Sequence, residues 1–282
     1  VLELGCAGGG NLIPMAAALP QSDFVGIDAS PRQIANGQAV AAKLGLQNVD
    51  LRPTDIMDLT DEVGQFHYII AHGVYSWVAP DVQEKILQIC KRSLAPTGIV
   101  YISYNAYPGW HLMSIIRDAM RYQTRNVSAP RDRADKARAT LEFLSSSVSA
   151  ERAHGAFVQA YASFLKYEAS RIGAKADSFL LHDELEEFNQ PLYFHEFAER
   201  AARHGLQYLA EADFQSVFTG NFAPEVAIAL ENSSDNLIDL EQMMDFVRNR
   251  MFRQTLLCHE DITINRTLST SRLPGFFARP QA

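Results

Sequence analysis

Three carboxylates near the start of the chain stand within or just after an apolar run. Glu3 lies within Val1-Leu2-Glu3-Leu4, directly ahead of Gly5-Cys6-Ala7-Gly8-Gly9-Gly10. Asp28 closes Phe24-Val25-Gly26-Ile27, and Asp55 follows Val49–Arg52 in Thr54-Asp55-Ile56. A strand that runs into closely spaced small residues and then a helix lets the backbone approach a nucleotide-like ligand. Gly5, Ala7 and Gly9 give the spacing G-x-A-x-G, which differs from the G-x-G-x-x-G of pyrophosphate-binding turns. A carboxylate two places before the first glycine would repel a pyrophosphate and suits a cationic ligand. Asp28 is placed to accept hydrogen bonds from both hydroxyls of a ribose. Asp55 is placed to accept from an exocyclic adenine amine, with Ile56 covering the ring. A nicotinamide cofactor would use an Asp at position 28 equally, so that residue alone does not discriminate.

The elements that hold these residues alternate. Val1–Leu4, Phe24–Asp28, Val49–Arg52, Phe66–Ala71 and Gly98–Tyr104 read as strands. Asn11–Leu19, Arg32–Leu44 and Val82–Leu94 read as helices between them, the second with Ser30 as N-cap and Pro31 at its first position. This is the pattern of a doubly wound α/β fold with a parallel sheet. From His111 to Ile172 several helices follow, then a helix at Tyr193–His204. Leu206–Ala212, Phe214–Phe218 and Arg253–His259 read as strands and Glu241–Met251 as a helix. The expected organisation is a ligand-binding core at 1–110, a helical insertion or cap at 111–180, completion of the core sheet at 181–265, and a linker cut short at 266–282. A domain rarely begins at its own central strand, so truncation at the N-terminus is also expected.

The chain has 282 residues, 47% of them hydrophobic, and a net charge of −8, which argues against nucleic-acid backbone as the main partner and allows a basic protein substrate. Its three cysteines, Cys6, Cys90 and Cys258, are scattered and lack metal spacing. His182, Asp183, Glu184, Glu186 and Glu187 match no known ligand motif, so no metal is expected and the run reads as a solvated acidic helix start. No signal peptide or membrane-spanning run is visible, which favours a cytoplasmic location.

Glu3-Leu4-Gly5-Cys6-Ala7-Gly8-Gly9 with Asp28 and Asp55 resembles the class I S-adenosylmethionine-dependent methyltransferases. Three further segments, Ala71–Val78, Tyr104–Trp110 and Asn189–Phe197, resemble the bacterial methyltransferases that carry a methyltransferase regulatory domain, including the rickettsial-type protein lysine methyltransferases. The resemblance implies a Rossmann-like seven-stranded sheet whose last strand is antiparallel, with Leu206–Ala212 and Arg253–His259 as the final hairpin. It implies S-adenosyl-L-methionine as cofactor, held at Glu3, Gly5, Ala7, Gly9, Asp28, Ala29, Asp55, Ile56 and His72, the last through its backbone. His72-Gly73-Val74-Tyr75 replaces the Asn/Asp-Pro-Pro-aromatic motif of enzymes that methylate base nitrogens, so a nucleobase acceptor is disfavoured. Tyr75, Trp77, Tyr104, Tyr107 and Trp110 collect aromatic faces at the strand ends, where they would attract a sulfonium or an ammonium. Tyr75 is the first candidate to line the acceptor pocket or take a proton, Asn105 could orient the nucleophile, and Trp77 completes the expected catalytic set. A protein lysine is the expected acceptor. A small-molecule O- or N-methyltransferase and a non-catalytic cofactor-binding module stay open, and the oligomeric state is not specified.

Overall fold

The computed structural model describes residues 1–60, 63–150, 155–267 and 269–271. Seven strands form one sheet in the order β3-β2-β1-β4-β5-β7-β6. They are β1 (Leu2–Leu4), β2 (Phe24–Asp28), β3 (Val49–Pro53), β4 (Phe66–Ala71), β5 (Leu94–Asn105), β6 (Leu206–Glu211) and β7 (Phe252–His259). β1 to β5 are parallel, and β7 runs antiparallel to both β5 and β6. The parallel part is the expected α/β sheet, and the late antiparallel hairpin closes it. The carboxyl ends of β1 to β5 therefore fall on one edge, the edge at which open α/β sheets bind ligands.

Alternation along the strands assigns the two faces. Leu2, Leu4 and Ile27 enter a core that also takes Ile86, Leu87 and Cys90 of α3 (Pro80–Ser93) and Phe197 of α8 (Phe194–Arg203). Phe24 and Leu51 enter the opposite core with Leu12 and Ile13 of α1 (Leu12–Ala18) and Ile34 of α2 (Pro31–Lys43). Glu3 alternates with Leu2 and Leu4, so it projects to the α1 side. Ser30 caps α2 as expected, its hydroxyl accepting from Gln33 N at 3.4 Å.

Between β5 and α8 the chain builds α4 (Trp110–Thr124), α5 (Pro130–Ala150), α6 (Ala156–Gly173), a short α7 (Asp177–Phe179) and a π-helical turn at Leu180–Glu184. These elements share a separate core in which Ile116, Met120, Leu141, Leu165 and Leu180 are buried. The excursion leaves at Trp110 and returns beside its own departure point. Leu192 N donates to Asn105 O at 3.1 Å, Tyr107 N donates to Leu192 O at 3.0 Å, and Ala106 and Leu192 form an isolated parallel bridge.

Four local expectations are revised. Phe214–Val217 is a 3-10 turn rather than a strand. Ala212 N makes the last ladder bond, to Gln254 O, and β7 begins only two residues earlier in that ladder, leaving Phe214 no strand to pair with. Pro80 occupies the first turn of α3, and the helix passes directly into β5 at Leu94. The segment between β6 and β7 contains two helices, α9 (Pro224–Asn232) and α10 (Leu237–Arg248). The acidic run at 182–187 is not a solvated helix start: Glu184 is buried, 3.5 Å from the Arg171 guanidinium, inside the π turn. The expected linker falls largely on residues 268 and 272–282, which lie outside the described ones.

Candidate active site

The glycine turn is held by backbone geometry. Gly5 and Gly9 have φ of 72° and 75°, and Ala7 has φ of 47°. Gly5 N and Cys6 N both donate to Ile27 O at 2.9 Å, which ties the turn to the end of β2. A Cβ built on Gly5 would stand 2.5 Å from Val74 Cγ2, so the turn lies directly against the exit of β4. Gly5→Ala combines a left-handed φ with that clash. It is expected to cost more than about 1 kcal/mol, read from urea unfolding of the two proteins.

Asp28 organises the same turn from the other side. Its Oδ2 accepts from Ala7 N at 2.9 Å and its Oδ1 from Ser30 N at 2.8 Å. Each oxygen keeps a further lone pair, and the side chain is half-exposed at the sheet edge beside exposed Ala29. Asp55 caps a 3-10 turn at Ile56–Asp58, its Oδ1 accepting from Met57 N at 2.9 Å, while Ile56 is buried.

Glu3 is 2% exposed. Its Oε1 accepts from Asn11 Nδ2 at 2.7 Å, but its Oε2 is buried without a partner. Burial raises its pKa above the usual carboxylate value, and the Asn11 bond only partly opposes this. A buried, half-satisfied carboxyl group beside a turn with a cramped backbone is the donor set that a cationic ligand completes. Asn11 sits where an N-cap for α1 would sit, yet it makes no cap bond and its side chain goes to Glu3. This pairing was not anticipated from the sequence, although Asn at a helix start was visible.

At the exits of β4 and β5 the aromatic residues divide into two groups. Trp77 is partly buried and meets Trp110 edge-on, with ring centroids 6.2 Å apart, and His182 at 6.1 Å. Nearby, Asn105 N donates to Ser76 Oγ at 2.8 Å, and Asn105 Nδ2 donates to Asn189 Oδ1 at 2.9 Å. Gln190 N donates to Ser76 O at 2.8 Å. The β4 exit, the β5 end and the return of the helical excursion are thus stitched together around Asn105. Tyr107 stacks on His111 at 4.1 Å further out. His72 is exposed, with Nδ1 3.0 Å from the Tyr101 hydroxyl.

Tyr75 and Tyr104 belong to the second group, the core. Tyr75 has no exposed surface, meets Phe197 edge-on at 5.4 Å, and burial pushes its pKa up to about 12. Tyr104 stacks on Phe197 at 4.3 Å and its hydroxyl is 3.2 Å from Thr255 Oγ1. The expected pocket-lining and proton-accepting role does not fit this placement of Tyr75: a phenol so enclosed is hard to ionise and meets no incoming group. Ser76, His182 and Asn189 were missed as site residues. The sequence carried no signal for Ser76, and His182 and Asn189 are remote in sequence from the strand ends they join.

Residues 1–98 match the family model described as a methyltransferase domain, and 176–259 the one described as a predicted methyltransferase regulatory domain. Uncharacterized protein RP789 of Rickettsia prowazekii is 43% identical over 98% of this chain and 49% of its own length. Uncharacterized protein RP028 of the same organism is 37% identical over 74% of this chain and 81% of its own length. The structure of PKMT2 from Rickettsia typhi in complex with AdoHcy superposes with a TM-score of 0.85 at 38% identity, covering 96% of this chain and 51% of that one. The chain spans about half the length of RP789 and of PKMT2. Among the described residues no helix is long and apolar enough to cross a membrane. The strand order, the glycine turn with its three strand-end carboxylates, and both family matches agree: the chain belongs to the class I S-adenosylmethionine-dependent methyltransferases that carry a methyltransferase regulatory domain.

Proposed function

We propose that the chain binds S-adenosylmethionine at the carboxyl ends of β1, β2 and β3 and methylates lysine side chains of a protein. The observation that carries this reading is the adjacency of two unlike surfaces. Glu3, Asp28 and Asp55 form an acceptor-rich edge, and the Gly5–Val74 approach brings the β4 exit, with Trp77 and Trp110, against it. The likeness to PKMT2, a structure described with AdoHcy, supports the cofactor.

In this reading Asp28 accepts from the ribose hydroxyls, Asp55 from the adenine amine with Ile56 beneath the ring, and Glu3 faces the cationic end. Gly5, Ala7 and Gly9 keep the backbone close to the ligand. Bound there, the cofactor would supply an electrophilic methyl group, which the acceptor nitrogen would take as the carbon–sulfur bond broke. The chain's own task is positioning and desolvation. Trp77, partly buried, offers a π-face to the acceptor ammonium, and buried Trp110 packs edge-on against it to fix its orientation. The ammonium must release a proton to solvent before its nitrogen can attack, and the dry surroundings favour that neutral amine. Asn105, anchored through Nδ2 to Asn189, keeps its carbonyl oxygen to hold the remaining N–H.

Two variants follow. Trp77→Ala is expected to lower kcat/KM for a lysine acceptor by about ten-fold, from lost cation–π attraction and packing. Tyr75→Phe is expected to leave turnover unchanged, because the hydroxyl meets no reacting group. The assay is transfer of a radiolabelled methyl group to lysine-rich proteins, followed by acid hydrolysis. Labelled methyl-lysine supports the reading. Label confined to small molecules would replace it with the O- or N-methyltransferase alternative, and cofactor binding with no transfer to any fraction would replace it with a non-catalytic module.

A further inference from the structure

The family resemblance implies a backbone contact from His72 to the cofactor. The hydrogen bonds around its imidazole point to a more specific use of the ring. Nδ1 lies 3.0 Å from the Tyr101 hydroxyl and 3.1 Å from Ser103 Oγ. Both hydroxyls already accept from other donors: Gly73 N gives its hydrogen to Ser103 Oγ at 2.8 Å, and Gln254 Nε2 donates to Tyr101 Oη at 2.9 Å. A hydroxyl that accepts from an N–H has its own proton left to give. Ser103 is 1% exposed, so an ungiven proton there would be a buried unsatisfied donor. The Nδ1 lone pair lies within reach of both hydroxyls and can take one of these protons, while the Ser103 and Tyr101 hydroxyls also bond to each other. Gln254 stands opposite Ser103 across the β5–β7 ladder, so the arrangement is set by strand register.

We propose that Nδ1 of His72 accepts a proton from this hydroxyl pair, leaving the ring hydrogen on Nε2, and that this N–H is a hydrogen-bond donor to the α-carboxylate of the bound S-adenosyl ligand. Tyr101, Ser103 and Gln254 are its positioning residues. The second half of the proposal rests on the cofactor reading given above. Three observations place the donor. His72 alternates with Ile70, the residue that pairs with Glu3, and so lies on Glu3's face of the sheet. Its neighbour Val74 touches Gly5 of the glycine turn, and the ring is exposed at the ligand edge. Glu3 and His72 then form a complementary pair: a carboxylate for the α-ammonium and an N–H for the α-carboxylate of the same amino-acid end. The same arrangement argues against His72 as the base that deprotonates the acceptor, because Nε2 carries a hydrogen and the Nδ1 lone pair is turned to the hydroxyl pair.

The test uses the full chain with S-adenosylhomocysteine and 5′-methylthioadenosine, which lacks the amino-acid end. His72→Ala is expected to weaken S-adenosylhomocysteine by about ten-fold or more while leaving methylthioadenosine within about two-fold, the loss expected for one hydrogen bond to a charged group. His72→Gln, whose amide nitrogen can take the place of Nε2, is expected to recover part of the loss. Nitrogen-15 NMR of the wild type should show His72 protonated on Nε2 alone, and Tyr101→Phe should perturb that signature. Equal weakening of both ligands, or of neither, would overturn the carboxylate contact, and a hydrogen on Nδ1 would overturn the tautomer. If the wild type binds methylthioadenosine but S-adenosylhomocysteine no more tightly, the contact fails while the nucleoside site stands. If it binds neither ligand, the cofactor reading itself fails, and the NMR result still decides the tautomer.

Discussion

Arg253→Met is expected to lose about 3–5 kcal/mol of stability in urea unfolding, the range for removing one partner from a buried ion pair. Arg253 has no exposed surface. It donates to Asp245 at 2.7 and 2.9 Å, to Glu211 at 2.8 Å and to Glu241 at 3.0 Å. Phe194 lies 3.8 Å below the guanidinium carbon. Arg250 adds a second cation, 2.9 Å from Asp245. Three carboxylates thus share two cations at the junction of β6, β7 and α10, and methionine in place of Arg253 would leave them with one. The pH dependence has a definite sign. Burial raises the Asp245 and Glu241 pKa values even with Arg253 opposing it. Without Arg253 they rise further, so the folded variant holds protons that the unfolded chain has released. Stability then falls as pH rises. The deficit relative to wild type should therefore widen between about pH 5 and pH 8. Arg203 makes a useful contrast: it is 61% exposed and 3.9 Å from Glu84, and its removal should change stability by less than about 0.5 kcal/mol.

Glu3→Gln separates binding from stability. The raised Glu3 pKa means that the folded apo protein holds a proton there that the unfolded chain loses near the ordinary glutamate value. That difference destabilises the fold as pH rises through the window between the two values. The amide introduced by Glu3→Gln carries no charge to bury, so the apo variant should melt higher than wild type at pH 7, with the gain vanishing near pH 4. Its affinity for S-adenosylhomocysteine should move the opposite way, falling by about 1.5–3 kcal/mol because a charge-assisted contact to the α-ammonium is lost. Thermal melts across pH and calorimetric titration read the two effects. A variant that is less stable and binds normally would contradict the assigned role.

The first three strands and their carboxylates were legible because each is a local signal: an apolar run, an acid within or just after it, and a turn that needs positive φ. The final hairpin was legible only through family resemblance, since nothing in Leu206–Ala212 says that it pairs with residues on the far side of two helices. Arg253 shows the limit of judging burial from residue type. It lies on the buried face of β7 with Thr255 and Leu257, and it is fully buried because α10 and Phe194 bring it partners from elsewhere in the chain. Tyr75 shows the converse. Its place among strand-end aromatics suggested access, but whether an aromatic ring faces a ligand or a helix depends on α8, more than a hundred residues away. Asn105 kept its expected position, and its partner Asn189 became visible only when the helical excursion was seen to return beside β5.

If the edge formed by Glu3, Asp28 and Asp55 holds an S-adenosyl ligand, calorimetric titration of the full chain and of Asp28→Ala with S-adenosylhomocysteine will show it. Wild type is expected to bind, and Asp28→Ala to bind more weakly by about 1.5–3 kcal/mol, as the ribose hydroxyls lose a charged acceptor. Wild-type affinity in the variant, or no binding by the folded wild-type chain, would contradict the account.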